Sequence, residues 1–227
     1  MNIFFLIALA LAPGITISFY IYFRDKHEPE PVGLLIISFF YGVLAVCLAA
    51  GLGYAINHII TIEERSLTGQ AIHAFIIVAL VEELSKFLFV RGALYPNKNF
   101  NEPFDGIVYS VMVGMGFATF ENLFYVFQGG ESVAIARIFS AVPAHALFAV
   151  LMGYVLGIAK FRKKNRFLYS LLALVIATFF HGIYDYFLFI AFVPGIWILA
   201  FVSLAVAFIL SRKAIALHQD ASPFKDK

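Results

Sequence analysis

Two adjacent glutamates and a lysine, Glu82, Glu83 and Lys86, stand inside an otherwise apolar stretch reading VEELSKF. On a helix, Lys86 lies four residues from Glu82 and three from Glu83, so the three share one face. A single Glu–Lys pair in a helical bundle neutralises itself and needs no further role. Here one ammonium faces two carboxylates and leaves one unbalanced. That is the condition under which a carboxylate serves as a general acid or base near neutral pH. Three further polar groups sit in comparable surroundings. Glu121 stands next to last in GMGFATFEN, beside a small-residue stripe of Ser110, Gly114 and Ala118, so it is expected to point into the bundle. His145 is the one large polar member of a face formed by Ala141, Ala149, Gly153 and Gly157. His181 and Asp185, in HGIYD, are spaced i,i+4, which can orient an imidazole or supply two ligands to one metal. Each of these groups alone is also explained by an interhelical hydrogen bond.

The elements that must carry them follow from composition. Of 227 residues, 62% are hydrophobic and 13% charged, against roughly 25% charged in a soluble domain. Disorder, a collagen-like chain and a disulfide scaffold are excluded, and Cys47 stands alone in an apolar run. The expected fold is all-α: a polytopic transmembrane bundle of about seven spans forming a single integral-membrane domain over residues 1–227. The spans are placed at about 2–23, 32–57, 70–90, 105–127, 141–159, 167–190 and 195–211, with residues 131–139 as a short interfacial helix. No Lys or Arg precedes Arg24, so the first span is read as a retained helix rather than a cleaved signal.

Orientation follows from the basic residues. With KFRKKNR (160–166) on the cytoplasmic side, thirteen Lys and Arg lie inside, and only Arg65 and Arg137 lie outside. The N-terminus is therefore expected outside and the C-terminus inside. A charge at the bilayer centre costs roughly 2.5–3.5 kcal/mol on the insertion scale. The five intramembrane charges, Glu82, Glu83, Lys86, Glu121 and Asp185, must therefore face one another or a wet cavity. HExxH, a serine elbow, a P-loop and GxGxxG are all absent, and the inner basic residues carry no aromatic surface for nucleic acid.

In order along the chain, APG (Ala12 to Gly14), the EP segment after the first span, EELSK, EPFDGIVY (Glu102 to Tyr109), GFATFEN, the His145 segment and HGIYD resemble the PrsW family of intramembrane proteases. The resemblance implies a multipass membrane peptidase of the cell membrane, with catalytic roles for Glu82, Glu83 and His181. It also implies a regulatory substrate, typically a single-span anti-sigma factor cut on its extracytoplasmic side. The family is distantly similar to the CAAX-prenyl endopeptidase/Abi group, whose pattern is EExxxR, FxxxH and HxxxN or HxxxD. Here the first motif is one residue shorter with Lys86 in place of Arg, and Glu121 stands where that group has His. These departures argue against a prenylated substrate.

The expected chemistry is peptide hydrolysis by a water that Glu83 or Glu82 deprotonates. His181, positioned by Asp185, would polarise the water, with His145 and Glu121 completing the cavity and Lys86 tuning the glutamate pair. A metal-free glutamate/histidine site is favoured over a zinc site, for which His145, His181 and Glu83 are the candidate ligands. Membrane lipids and a membrane-anchored substrate are the expected partners. Two other classes stay open. A proton-coupled transporter or channel also uses buried carboxylates and histidines, although no inverted repeat is visible. A non-catalytic scaffold that binds membrane helices is the third reading.

Overall fold

Pro13 sits inside the first helix without ending it, as the absence of competing water in a bilayer allows. In this computed structural model, which describes residues 3–225, α1 runs Ile3–Arg24 and α2 runs Val32–Asn57. Asn2 of the first expected span and Lys227 of the inner basic set lie outside the described residues. Between α1 and α2 the charged link folds inward rather than into water. Asp25 and Glu30 are almost fully buried, and the Glu30 amide donates to Asp25 Oδ2 at 3.0 Å.

The segment carrying the glutamate pair is helical throughout, but its winding changes. α3 (Leu67–Ile72) starts at Ser66, whose hydroxyl accepts from the Gly69 amide. A π-helical stretch, His73–Leu80, leads into α4 (Val81–Phe89), and a second, Val90–Leu94, follows it. EELSK thus sits on one short α-helical piece between two wide-turn segments, a feature that recurs at functional sites.

α5 (Pro103–Phe139) opens with Pro103 in the first turn and a reciprocal cap between Glu102 and Asp105. At Gly130 the backbone adopts φ 70°, which favours glycine, and residues 131–139 form a separate short helix folded back from the rest. A short helix is expected over these residues. α6 (Ala141–Phe161), α7 (Arg166–Phe189) and α8 (Ile198–Asp220) complete the chain. Among the described residues, five helical runs are long and apolar enough to cross a membrane. The fourth and fifth expected spans fall together within one of them, Pro103–Phe161, and the third is the mixed α/π stretch.

α5 is the centre of the arrangement, contacting α1, α2 and α6 most extensively. Glycines set these approaches. A Cβ on Gly106 would strike the backbones of Gly153 and Gly157, and one on Gly153 would strike Gly106 and Ile107. The small faces read from the sequence are therefore the α5–α6 contact, which brings Glu121 and His145 onto facing helices.

Candidate active site

All seven polar residues singled out in the sequence converge. Lys86 Nζ lies 2.5 Å from Glu83 Oε1, 3.2 Å from His145 Nδ1 and 3.8 Å from Glu82 Oε2. His181 Nδ1 is 2.9 Å from Glu83 Oε1, and its Nε2 is 3.2 Å from Asp185 Oδ2 and 3.9 Å from Glu82 Oε2. His145 Nε2 is 3.2 Å from Glu121 Oε2. α4, α5, α6 and α7 thus each supply side chains to one polar cluster.

The two glutamates have different surroundings, which their adjacency in sequence does not reveal. Glu83 is 1% exposed, and its Oε1 is shared by the Lys86 ammonium and His181. Glu82 faces a cavity of about 470 Å³ that Glu121, Arg137, His145, His181 and Asp185 also line. Its Oε2 is buried and has no hydrogen-bond partner.

Hydrogen-bond chemistry assigns much of the rest. An ammonium only donates, so His145 Nδ1 accepts from Lys86 and Nε2–H points to Glu121. A carboxylate only accepts, so His181 carries a proton on Nδ1 toward Glu83. Aromatic rings enclose the pair: Phe148 stacks on His181 at 5.0 Å, and Lys86 Nζ lies 4.3 Å from the centre of the Phe117 ring.

Arg137, counted in the sequence only as one of two outer basic residues, belongs to the site. Its Nη2 lies 2.6 Å from Glu121 Oε2, and its Nε donates to Asn122 Oδ1 at 2.9 Å. Asn122 in turn donates to the Ala10 carbonyl of α1. The one available sequence signal was an arginine in a short polar segment just after QGG (128–130). Only the chain reversal at Gly130 brings it back onto Glu121.

The donor set fits a metal ion. Glu82, His145 and His181 each present a ligand atom, and these atoms lie within 4.8 Å of one another. Two imidazoles and a carboxylate are a common zinc set. Charge agrees: Glu82, Glu83, Glu121 and Asp185 outnumber Lys86 and Arg137 by two when both imidazoles are neutral. A divalent cation balances that excess. The Glu83–His181 Nδ1 contact is the carboxylate–imidazole pairing that commonly fixes a ligating histidine's tautomer. Ligation by His145 would exchange one of its two present hydrogen bonds for the ion, and ligation by His181 Nε2 would displace its present contact with Asp185.

Residues 30–211 match the family described as PrsW family intramembrane metalloprotease. The chain is 36% identical to Protease PrsW of Geobacillus kaustophilus, over 99% of each protein. It is also 36% identical to Protease PrsW of Bacillus subtilis, over 82% of this chain and 83% of that protein. To Protease PrsW of Clostridioides difficile it is 34% identical, over 82% and 80%. No solved structure matches.

Proposed function

The chain belongs to the PrsW family of intramembrane proteases, and from that premise we propose that it cuts a single-span regulatory protein with a water activated at the Glu82–His145–His181 cluster. Membership makes it a multi-pass peptidase of the cell membrane. The finer reading is that the substrate is an anti-sigma factor cut on its extracytoplasmic side. It rests on the family resemblance and on the inner-side bias of the basic residues.

The observation that carries the mechanism is the free Oε2 of Glu82, buried at the cavity wall beside two imidazoles. Glu82, His145 and His181 are the residues that would hold a metal. When bound, it would supply a Lewis acid that polarises a carbonyl and makes a water more acidic. A carboxylate has two oxygens, so Glu82 keeps one for the proton of the attacking water. That proton then passes to the leaving amine. Glu83 holds the His181 ring through Nδ1, and Asp185 flanks Nε2. Lys86 cancels the Glu83 charge and holds His145 by its Nδ1. Arg137 pairs with Glu121 opposite His145. Phe117, Phe148 and Tyr184 wall the cluster and limit water around it.

The test uses purified protein in vesicles with a single-span reporter bearing a tagged outer tail. Glu82→Gln and His181→Ala should each lower cleavage by roughly a hundredfold or more with folding intact. Metal analysis of wild type should give near-stoichiometric zinc, lost in His145→Ala and His181→Ala. Full activity in Glu82→Gln would remove the proposed base. Active protein without metal would leave the glutamate and histidines to act alone.

A further inference from the structure

α2 crosses α5 closely at one level and parts from it at another. At Gly42 a Cβ would strike the backbones of Val113 and Phe117, and at Gly116 one would strike Phe39. Eleven residues beyond Gly42, a Cβ at Gly53 meets nothing within 4 Å. Between the two levels lies a second cavity of about 460 Å³, lined by Ala49 and Gly53 of α2, Val81 and Glu82 of α4, and Phe117 and Glu121 of α5.

This cavity shares a wall with the candidate active-site cavity. Glu82, Glu121, His73, Val78 and Tyr125 line both. Its α2 wall is small toward the opening: beyond Val46 it is formed by Ala49, Ala50 and Gly53, with Ala49 and Gly53 four residues apart on one face. Its rim holds Ala50 and Phe124, both exposed on surfaces that an apolar span turns toward lipid. At the far end of α2, Asn57 and His73 also line a third, more polar cavity together with Thr61 and Gln70. The linings thus lead from the apolar exterior past Gly53 to Glu82, with a polar recess at one end.

We propose that the substrate's membrane-spanning helix docks side-on against Ala49 and Gly53, and that its peptide bond reaches Glu82 through the opening between α2 and α5. The inference rests on the peptidase reading above. Three features fit this occupant. A helix about 10 Å across cannot enter a cavity of this size whole, but one face of it can, with the rest left in lipid. Small residues on α2 let another backbone approach closely. The polar recess at Asn57 and His73 suits the unwound, hydrogen-bonding backbone that a scissile segment must present.

Gly53 and Gly51 make a matched test. Two residues on a helix are about 200° apart, and both positions have open space for a Cβ. Gly53 lines the path, whereas Gly51 is exposed and is not among the residues lining it. Gly53→Phe should lower kcat/KM for the single-span reporter roughly tenfold or more, whereas Gly51→Phe should leave it unchanged at equal melting temperature. A photoreactive benzoylphenylalanine at position 53 should cross-link the reporter in the Glu82→Gln background, and one at position 51 should not. Wild-type cleavage with undiminished activity in Gly53→Phe would overturn the route and leave the peptidase standing. Equal cross-linking from both positions would also overturn it. A wild type that cuts no reporter would sink the peptidase reading and this proposal together.

Discussion

Arg137 Nη2 lies 2.6 Å from Glu121 Oε2, although sixteen residues and a reversal at Gly130 separate them in the chain. The contact ties the short helix 131–139 to the candidate active-site cavity, and the same guanidinium lies 4.0 Å from the centre of the Tyr125 ring. Removing it leaves a half-buried carboxylate opposite His145 without its cation.

Arg137→Ala should therefore cost about 1.5–3 kcal/mol of stability, the range for a hydrogen bond to a charged group. It should also lower cleavage more than Arg137→Lys, which restores the charge without the fork to Asn122. Thermal unfolding in detergent and reporter cleavage measure the two effects. Equal activity in all three proteins would show that Glu121 needs no partner.

Gly153→Leu should destabilise the chain by about 1–3 kcal/mol through overpacking, because the Gly106 and Ile107 backbones already occupy the space a side chain needs. Gly92→Leu serves as the comparison, since a Cβ there meets nothing within 4 Å. Parallel melting curves decide between them. Similar losses for both would refute the close α5–α6 approach.

The α1–α2 link should make stability depend on pH. Burial, as the largest cause, pushes the Asp25 carboxyl up to about 7 from 3.8, and the Glu30 carboxyl up to about 7 from 4.5. Between the ordinary carboxylate range and about pH 7, the folded chain keeps protons that the unfolded chain releases. Stability is then full at low pH, falls as pH rises through that window, and levels off above it. Glu30→Gln is neutral at every pH, so it should raise the melting temperature relative to wild type more at pH 8 than at pH 5. An equal difference at both values would contradict the burial of an ionisable Glu30.

The expected topology, seven spans with the N-terminus outside, is checked by reporter fusions. A fusion after Arg166 should score as cytoplasmic and one after Arg65 as external, following the excess of basic residues in loop 160–166. An external score after Arg166 would reverse the orientation and move the cut to the other side.

The site was legible in sequence because buried charge is costly in a bilayer. Any ionisable residue in an apolar span needs a partner, so Glu82, Lys86, Glu121, His145, His181 and Asp185 drew attention without any contact being known. The small stripes likewise foretold that α5 and α6 meet, since few other residues permit that approach. What stayed hidden depends on tertiary direction. Adjacent positions on a helix point about 100° apart, so nothing local says that Glu83 meets Lys86 and His181 while Glu82 Oε2 stays free. Arg137 counted only as one of two outer basic residues, because its partner lies across a reversal at a single glycine. The Asp25–Pro31 link read as a polar turn, yet Asp25 and Glu30 are buried, because neighbouring elements cover it.

The wide-turn stretch His73–Leu80 also acts as a phase setting. Deleting one residue from it with the winding unchanged would barely shorten α3–α4 but would turn its two ends relative to each other by roughly a quarter of a turn. With one end held in place, Glu82 and Glu83 would swing away from His145 and His181. The number of residues between Ser66 and the glutamate pair is thus fixed to the single residue, whereas the connection from Asn57 to Ser66, outside any helix, can lengthen or shorten without turning a catalytic side chain.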